Sequence, residues 1–313
     1  MAHHRVAATP ETIHWGTFSA AHKPVLTVQS GDSVTLECVS GAPGMMPPAA
    51  LGLTIPPALP AIHAVHSPKL GAHILTGPVA VAGAMPGDVL EVRIDAVEFG
   101  ADWGFTAFRP LGGTLPEDFP YNHVSYIPLD RAARTCSPPW GGTIPLSPFF
   151  GVMGVAPKPE YGVLSTKEPR EHGGNLDNKE LGAGSVLFLP VWTEGANFSA
   201  GDGHGVQGDG EVCINALEMA LNGTFTLVLH KGPGLVFPRG ETASHYISMG
   251  LNEDLDLAMK QALREMIAFI TARSTLSAAQ AYQFCSLAVD FRVTQTVNGE
   301  KGVHGMLKKG LLF

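Results

Sequence analysis

The stretch VLEVRIDAV at residues 89–97 decides the fold class, because polar and apolar side chains alternate along it. Residues i and i+2 of a strand share a face, so the alternation predicts a half-buried β-strand. The segment SVTLEC at 33–38 repeats the pattern, and both strands follow a Gly-Asp turn. These repeats predict a first half of the chain that is built from strands and turns.

The apolar period changes only after Gly250. Seven apolar residues between Leu255 and Ile270 form one helical stripe, which predicts a helix. A second helix is expected from a Ser277 N-cap to about Leu287, and residues 289–297 alternate again as a strand. The sequence therefore predicts a β-dominated or α+β fold with two late helices.

Composition excludes several classes of protein. The chain of 313 residues carries 20 Lys+Arg and 28 Asp+Glu, a net charge of −8, without the basic clusters that bind nucleic acid. No apolar run reaches the ~20 residues of a membrane span, and the first residues lack the apolar core of a signal peptide. Four isolated cysteines are expected to be reduced. We therefore expect a cytoplasmic protein that binds neither nucleic acid nor membranes.

The segment GDGHGVQGDGE at 201–211 concentrates polar side chains among five glycines. Glycine lets the backbone turn tightly, so short side chains can converge on one point. If the segment is extended, Asp202 shares a face with His204. Asp209 shares a face with Glu211 in the same way. A carboxylate beside an imidazole favours a divalent-metal site, and the alternative is a solvated glycine-rich loop.

A candidate hairpin gives Glu218 its predicted position. Asn222-Gly223 is a typical two-residue hairpin turn, and that register sets Glu218 opposite Leu227 on an apolar face. A buried carboxylate must be protonated, ion-paired or bound to a metal. Glu218 is therefore expected to converge with Asp202 and His204.

Other segments give weaker signals. Residues 42–60, rich in Pro, Gly and Met, are interpreted as a loop over a site. His63 and His66 have HxxH spacing, and His73 lies in a strand-to-turn segment. The sequence has no GxSxG, HExxH or Walker motif, so a metal-activated water is the best enzymatic hypothesis.

Several motifs resemble the acetamidase/formamidase family, in particular its shorter, acetamidase-like branch. They cover almost the whole chain in the family's order, and GDGHGVQGDGE is the most specific. The others are TGPVAVAGAMPGD at 76–88, GVMGVAP at 151–157, GGNLD at 173–177, GSVLFLPV at 184–191, ALE at 216–218 and LSAAQAYQFCSLAVDFRVTQTVNGEKGV at 276–303.

The resemblance implies a mainly β fold, a jelly-roll-like β-sandwich with an added α+β portion. We expect a β-rich catalytic core at 1–250, with a division near 165 into subdomains 1–165 and 166–250 as an alternative, and a helical and strand segment at 251–313. The implied activity is hydrolysis of a short aliphatic amide, of the formamide or acetamide type, to carboxylate and ammonia. A divalent metal, zinc with calcium as the alternative, and a homo-oligomer (dimer or higher) are further implications.

The resemblance also suggests roles for residues of these motifs. The metal would polarise the amide carbonyl and acidify a water, and Glu211 would carry the proton to the leaving nitrogen. The expected metal ligands are Asp177, Asp202, His204 and Glu218; the expected catalytic residues are Glu211, Asp209 and His73; the expected substrate-binding residues are Asn175, Gln207 and His172.

A competing hypothesis is a non-catalytic β-sandwich binding protein with structural calcium. Asp177, Asn175, Asp209 and Glu211 would then supply an all-oxygen ligand set. His204 discriminates between the two, because imidazole is a good zinc ligand and a poor calcium ligand.

Overall fold

The computed structural model describes residues 1–232 and 234–313. The fold is mainly β, as predicted. The strands are β1 (His3–Val6), β2 (Ile13–Trp15), β3 (Thr17–Ser19), β4 (Leu26–Val28), β5 (Ser33–Cys38), β6 (Ile74–Val81), β7 (Val89–Phe99), β8 (Trp103–Phe108), β9 (His123–Asp130), β10 (Thr135–Cys136), β11 (Ile144–Pro145), β12 (Phe149–Gly154), β13 (Val163–Ser165), β14 (Gly173–Asn175), β15 (Val186–Pro190), β16 (Phe198–His204), β17 (Leu221–His230), β18 (Arg239–Glu241), β19 (His245–Asn252), β20 (Val289–Gln295) and β21 (Lys301–Lys308).

The helices are α1 (Ala58–Val65), α2 (Leu255–Arg273) and α3 (Ala278–Ala288), with 3₁₀ turns at Pro43–Met45, Ala49–Leu51 and Pro159–Tyr161. The longest helix, α2, carries charged side chains along its length. Among the described residues no helix offers the apolar stretch that a bilayer crossing needs.

A nine-stranded sheet forms one layer, in the order β1-β5-β17-β7-β15-β18-β19-β21-β20. Strand β7, which contains the stretch 89–97, lies inside it between β17 and β15. Leu90, Val92 and Ile94 are buried, and Arg93 and Asp95 are exposed, so the predicted alternation is confirmed over residues 92–95, whereas Val89 and Glu91 on the opposite face are buried as well.

A six-stranded sheet, β14-β12-β16-β6-β2 with β4 beside β6, forms the second layer. One apolar cluster joins the two sheets. The Phe225 ring of the first sheet lies 5.5 Å from the Phe150 ring and 5.3 Å from the Phe198 ring of the second. Face-to-face packing of this kind is the core of a β-sandwich.

The two late helices form as predicted. Asp254 caps α2, and Ser277 caps α3 in a capping box with Gln280. Both pack on the end of the nine-stranded sheet, where Ser248 donates a hydrogen bond to the carbonyl of Ala262. Strands β20 and β21 continue that same sheet. The divisions near residues 165 and 250 stay predictions.

The hairpin at Asn222-Gly223 was predicted wrongly. Both residues lie inside β17, paired with β5 on one side and β7 on the other. A Cβ on Gly223 would meet the rings of Phe150 and Phe225, so this glycine permits close aromatic packing inside a strand rather than a turn.

Residues 42–60 also carry more local structure than a loop. Two 3₁₀ turns lie there, and α1 begins at Ala58. Pro60 belongs to the first turn of α1, where a proline costs no intrahelical hydrogen bond, so prolines did not exclude a helix.

Candidate functional site

The glycine-rich segment changes structure at His204. Residues up to His204 belong to β16, and Asp202 Oδ2 lies 3.4 Å from His204 Nε2, so this pair shares a face as expected. Beyond His204 the chain leaves the strand. The period-two argument that paired Asp209 with Glu211 therefore does not apply.

Glu218 lies directly across from His204. The segment around it forms backbone bridges to His204 on one side and Phe105 on the other. Opposite residues in such a bridge present their side chains to the same face. Glu218 Oε1 lies 3.3 Å from His204 Nε2 and accepts hydrogen bonds from Asn215 Nδ2 and the Ala216 N–H, both at 3.1 Å.

Asp177 and Glu211 approach the imidazole from another side. Asp177 Oδ1 is 3.7 Å from His204 Nδ1, and Asn298 Nδ2 donates to Asp177 Oδ2 at 2.5 Å. Ligand atoms of Asp177, His204 and Glu211 all lie within 4.8 Å of one another, as do those of Asp202, His204 and Glu218. Four buried carboxylates thus surround one imidazole, an arrangement we call the acidic cluster.

Three carboxylates of the acidic cluster sit on a left-handed backbone. The φ angles of Asp177, Asp202 and Glu211 are 47°, 57° and 43°, and only eight non-glycine residues in the described chain have positive φ. Such conformations cost free energy and are concentrated at functional sites.

Gly151 on β12 leaves room in the middle of the acidic cluster. A Cβ there would lie 2.6 Å from Asp202 Oδ2 and 2.8 Å from His204 Cε1, and would also collide with Asp177. Glycine is required at this position if the space between the ligating atoms is to stay open.

Gln207 orients His204 from behind. Its Nε2 donates to the carbonyl of Asp177 at 2.8 Å, so its Oε1 faces His204 Nδ1 at 2.9 Å. An amide oxygen can only accept, so Nδ1 carries the proton. His204 Nε2 then faces Asp202 and Glu218, which is the tautomer a metal ligand needs.

Burial and crowding shift the pKa values of the acidic cluster. Burial, followed by neighbouring carboxylates, raises the pKa of Glu211 well above its usual value, and burial also raises the pKa values of Asp177 and Glu218. Burial opposes ionisation of Asp202, but His73 and His204 outweigh it and lower its pKa.

The acidic cluster lacks positive charge. Burial opposes protonation of His204, yet Glu218 and Asp202 raise its pKa well above the usual value. A protonated His204 still balances only one of the four carboxylates. Buried excess charge of this kind requires protons or a cation.

The acidic cluster opens into a cavity of about 400 Å³. Asp202, Glu211 and Glu218 line it, together with His73 and Asn175. His73 Nε2 is 3.7 Å from Asp202 Oδ2, and the Oδ1 atom of Asn175 is buried without a hydrogen-bond partner. Ala42 and Met45 of the segment 42–60 also line the cavity.

Some residues that the sequence suggested lie elsewhere. Asp209 is exposed and pairs with Lys179 at 3.1 Å, because the loop after β16 turns it outward. His172 is buried with its ring 4.9 Å from that of Phe18, and Gln207 lies behind His204; neither lines the cavity. The oxygen set of the calcium alternative is therefore not assembled, since Asp209 is absent from it.

The HxxH pair is not part of the site either. His63 Nε2 bonds the carbonyl of Gly41, and His66 Nε2 bonds that of Pro10. Both rings tie α1 to neighbouring loops.

Sequence reasoning missed Gly151, Asn298 and Asn215. Asn298 had a signal, since Asn-Gly is a turn dipeptide and a turn can deliver a side chain to a distant site. The close approach at Gly151 depends on how the strands pair, which no local pattern encodes.

Comparison with known proteins places this architecture in a family. A sequence model described as the Acetamidase/Formamidase family matches residues 18–168 and 161–303. The chain belongs to the acetamidase/formamidase family. The resemblance inferred from its motifs is confirmed.

Relatives within the acetamidase/formamidase family are similar in sequence and in fold. The formamidase of Methylophilus methylotrophus is 31% identical over 200 residues, which cover 47% of this chain and 49% of that protein. The match thus spans about half the length of this curated relative.

Solved structures match almost the whole chain. The acetamidase of Bacillus halodurans has a TM-score of 0.81 at 28% identity and covers 97% of both chains. The acetamidase of Yersinia enterocolitica has a TM-score of 0.84 at 28% identity, covering 99% of this chain and 93% of the other.

Proposed function

We propose that this chain is a metal-dependent amidohydrolase that converts a short aliphatic amide, of the formamide or acetamide type, to a carboxylate and ammonia. The observation that carries the proposal is the convergence of four buried carboxylates on His204 at the floor of a cavity. Similarity to proteins named formamidase and acetamidase supports an amide as the substrate.

The residues of the acidic cluster fit a divalent cation, and zinc is the ion we propose. His204 Nε2, Asp177 Oδ1 and Glu211 Oε2 are buried without hydrogen-bond partners, and Gly151 keeps the space between them clear. Imidazole with carboxylates suits zinc better than calcium. Asp177, Asp202, His204 and Glu218 would hold the ion, which when bound supplies Lewis-acid polarisation of the amide carbonyl and acidifies water.

Glu211 is the proposed proton carrier. It lines the cavity, and its Oε2 is buried without a hydrogen-bond partner. As a general base it would take the proton of the attacking water and give it to the leaving nitrogen. Asn175 Oδ1 would accept an N–H of the amide, because it is a neutral acceptor without a partner in the cavity wall.

His73 lies beside Asp202 in the cavity wall, with its Nε2 3.7 Å from Asp202 Oδ2. Its Nδ1 lies 3.1 Å from the Thr166 carbonyl, which can only accept, so the proton is on Nδ1.

A cytoplasmic location and a homo-oligomeric state belong to the same proposal. The four cysteines are free, which suits a reducing compartment. Leu111 and Trp140 are 94% and 66% exposed, and a subunit contact that covered them would remove apolar surface from water. Size-exclusion chromatography with light scattering tests the oligomeric state.

The test of the activity combines metal analysis with ammonia release. Protein purified without added ions should contain a divalent transition metal and should release ammonia from formamide or acetamide. Prolonged chelation should reduce the rate by about 100-fold or more, and zinc but not calcium should restore it. Full activity in metal-free protein, or no ammonia from any short amide, contradicts the proposal.

A further inference from the structure

Three cationic side chains line the cavity above the acidic cluster. Lys69, Arg109 and Lys167 come from separate segments of the chain, and all three are exposed. Within the described residues, none of them has a carboxylate oxygen within 4 Å, whereas other lysines and arginines form ion pairs, such as Lys231 with Asp88. The cavity thus has an anionic floor and a cationic mouth.

The cationic mouth does not reflect a general excess of positive charge. The chain carries 28 acidic side chains and only 20 Lys+Arg. Three unpaired cations at one cavity in an acidic protein create a local field that favours a negatively charged group. Lysine and arginine donors bind carboxylates through charge-assisted hydrogen bonds.

The cavity is also larger than the smallest amides require. Acetamide has four heavy atoms and occupies roughly 100 Å³, if each takes about the share of a water molecule. The cavity measures about 400 Å³. Space therefore remains between an amide bound at the acidic cluster and the cationic mouth.

We propose that the preferred substrate is an amide whose acyl chain ends in a carboxylate, that is, the monoamide of a short dicarboxylic acid. This rests on the proposed amidohydrolase function and names its substrate class. The amide end lies at the acidic cluster, and the distal carboxylate lies among Lys69, Arg109 and Lys167. Water adds to the amide carbon, the C–N bond breaks, nitrogen leaves as ammonia, and the product is a dicarboxylate.

The reversed orientation is unproductive, because the amide would then lie among Lys69, Arg109 and Lys167, away from the acidic cluster. The charge pattern thus selects both the class of substrate and its direction in the cavity. If Lys69, Arg109 and Lys167 only compensated the negative charge of the acidic cluster, kcat/KM would show no preference between charged and neutral amides. That difference makes the proposal testable.

The experiment compares succinamate with butyramide, which has the same carbon chain and a methyl group in place of the carboxylate. In the metal-loaded protein, kcat/KM for succinamate should exceed that for butyramide by about tenfold or more at low salt, and the ratio should fall as ionic strength rises. Lys69→Met, Arg109→Met and Lys167→Met should each lower the ratio, and the triple variant should abolish the preference.

Lys260→Met is the matched control, because Lys260 is an exposed lysine on α2 outside the cavity lining. Its ratio should equal that of the unmodified protein. Thermal melts establish that each variant folds. A ratio at or below one in the unmodified protein, or a ratio that the mouth variants leave unchanged, overturns the proposal.

Binding of succinate, the product, separates this proposal from the activity itself. Calorimetry should detect succinate binding to the metal-loaded protein and its loss in the triple variant. A protein that hydrolyses no amide contradicts the proposed function. In that case the measurement of succinate binding alone tests the cationic subsite.

Discussion

Two regions of the molecule hold carboxylates of similarly low solvent exposure but differ in the positive charge that contacts them. At the start of β7, Asp88 and Glu91 are 5% and 8% exposed; in the acidic cluster, Glu211 and Glu218 are 5% and 4% exposed. Asp88 pairs with Lys231 at 2.6 Å, and Glu91 pairs with Arg93 and His230 at 2.5 Å.

The pKa values of these carboxyl groups depend on the charged groups that contact them. Burial alone would raise the pKa of Asp88, but hydrogen bonds from Lys231 and from backbone N–H groups lower it below the usual value. The pKa values of Glu211 and Glu218 are raised, because burial dominates and neighbouring carboxylates add to it. Low solvent exposure alone therefore does not distinguish these two kinds of carboxylate, whereas depth of burial and the supply of positive charge do.

Glu218→Gln should give the largest effect, because it removes one of the four carboxylates of the acidic cluster. Glutamine keeps the shape but removes the charge, so metal occupancy and amide turnover should fall together, the turnover by about 100-fold or more. Metal stoichiometry and ammonia release measure this.

Glu91→Gln on the nine-stranded sheet is the control for Glu218→Gln. It removes a carboxylate of similarly low solvent exposure and should lower thermal stability without changing metal content. Unchanged stoichiometry and rate in Glu218→Gln would remove Glu218 from the site.

Glu211→Gln should separate chemistry from metal binding. If Glu211 transfers the proton, turnover should fall by about 10²–10⁴-fold, the usual contribution of a general base. The metal should remain, because the four proposed ligands, Asp177, Asp202, His204 and Glu218, are unchanged. Loss of metal in this variant would instead make Glu211 a ligand, and retained activity would assign the proton transfer to another group.

Gly151→Ala should reduce metal occupancy and turnover by at least about tenfold, because the added methyl enters the space between Asp177, Asp202 and His204. Gly208→Ala is its control: Gly208 lies in the same glycine-rich motif, but a Cβ there meets nothing within 4 Å. Equal metal content in the two variants would show that the space is not used.

Asp88→Asn should give the smallest effect, on stability alone. The folded-state pKa of Asp88 is lowered, so its contribution is present above the unfolded-state pKa of about 3.9 and is lost as the pH falls below it. The free energy of unfolding should drop by about 1 kcal/mol at neutral pH, and the difference should vanish in acid. Urea melts at several pH values measure it, with Asp290→Asn at an exposed position as control.

The sequence predicted best those elements whose apolar residues all face a single packing surface. Strand β7 and helices α2 and α3 each bury one face, so their apolar periods reveal them. The pair Asp202 and His204 was predictable for the same reason, because β16 continues through both residues.

The rest of the site depends on contacts between distant segments. Glu218 reaches the predicted place although the hairpin argument was wrong, because its bridges to His204 and Phe105 turn it inward. The left-handed backbone of Asp177 and Glu211 has no local signal, since neither residue is a glycine. The close approach at Gly151 can be recognised only when the pairing of the strands is known.

The hydrogen bond from Asn298 to Asp177 joins residues 121 positions apart. Chains fold from the N-terminus as they are synthesised, so Asp177, Asp202, His204 and Glu218 all emerge before this partner exists. A nascent chain that stops before residue 298 has the four acidic side chains but lacks the hydrogen bond that holds Asp177.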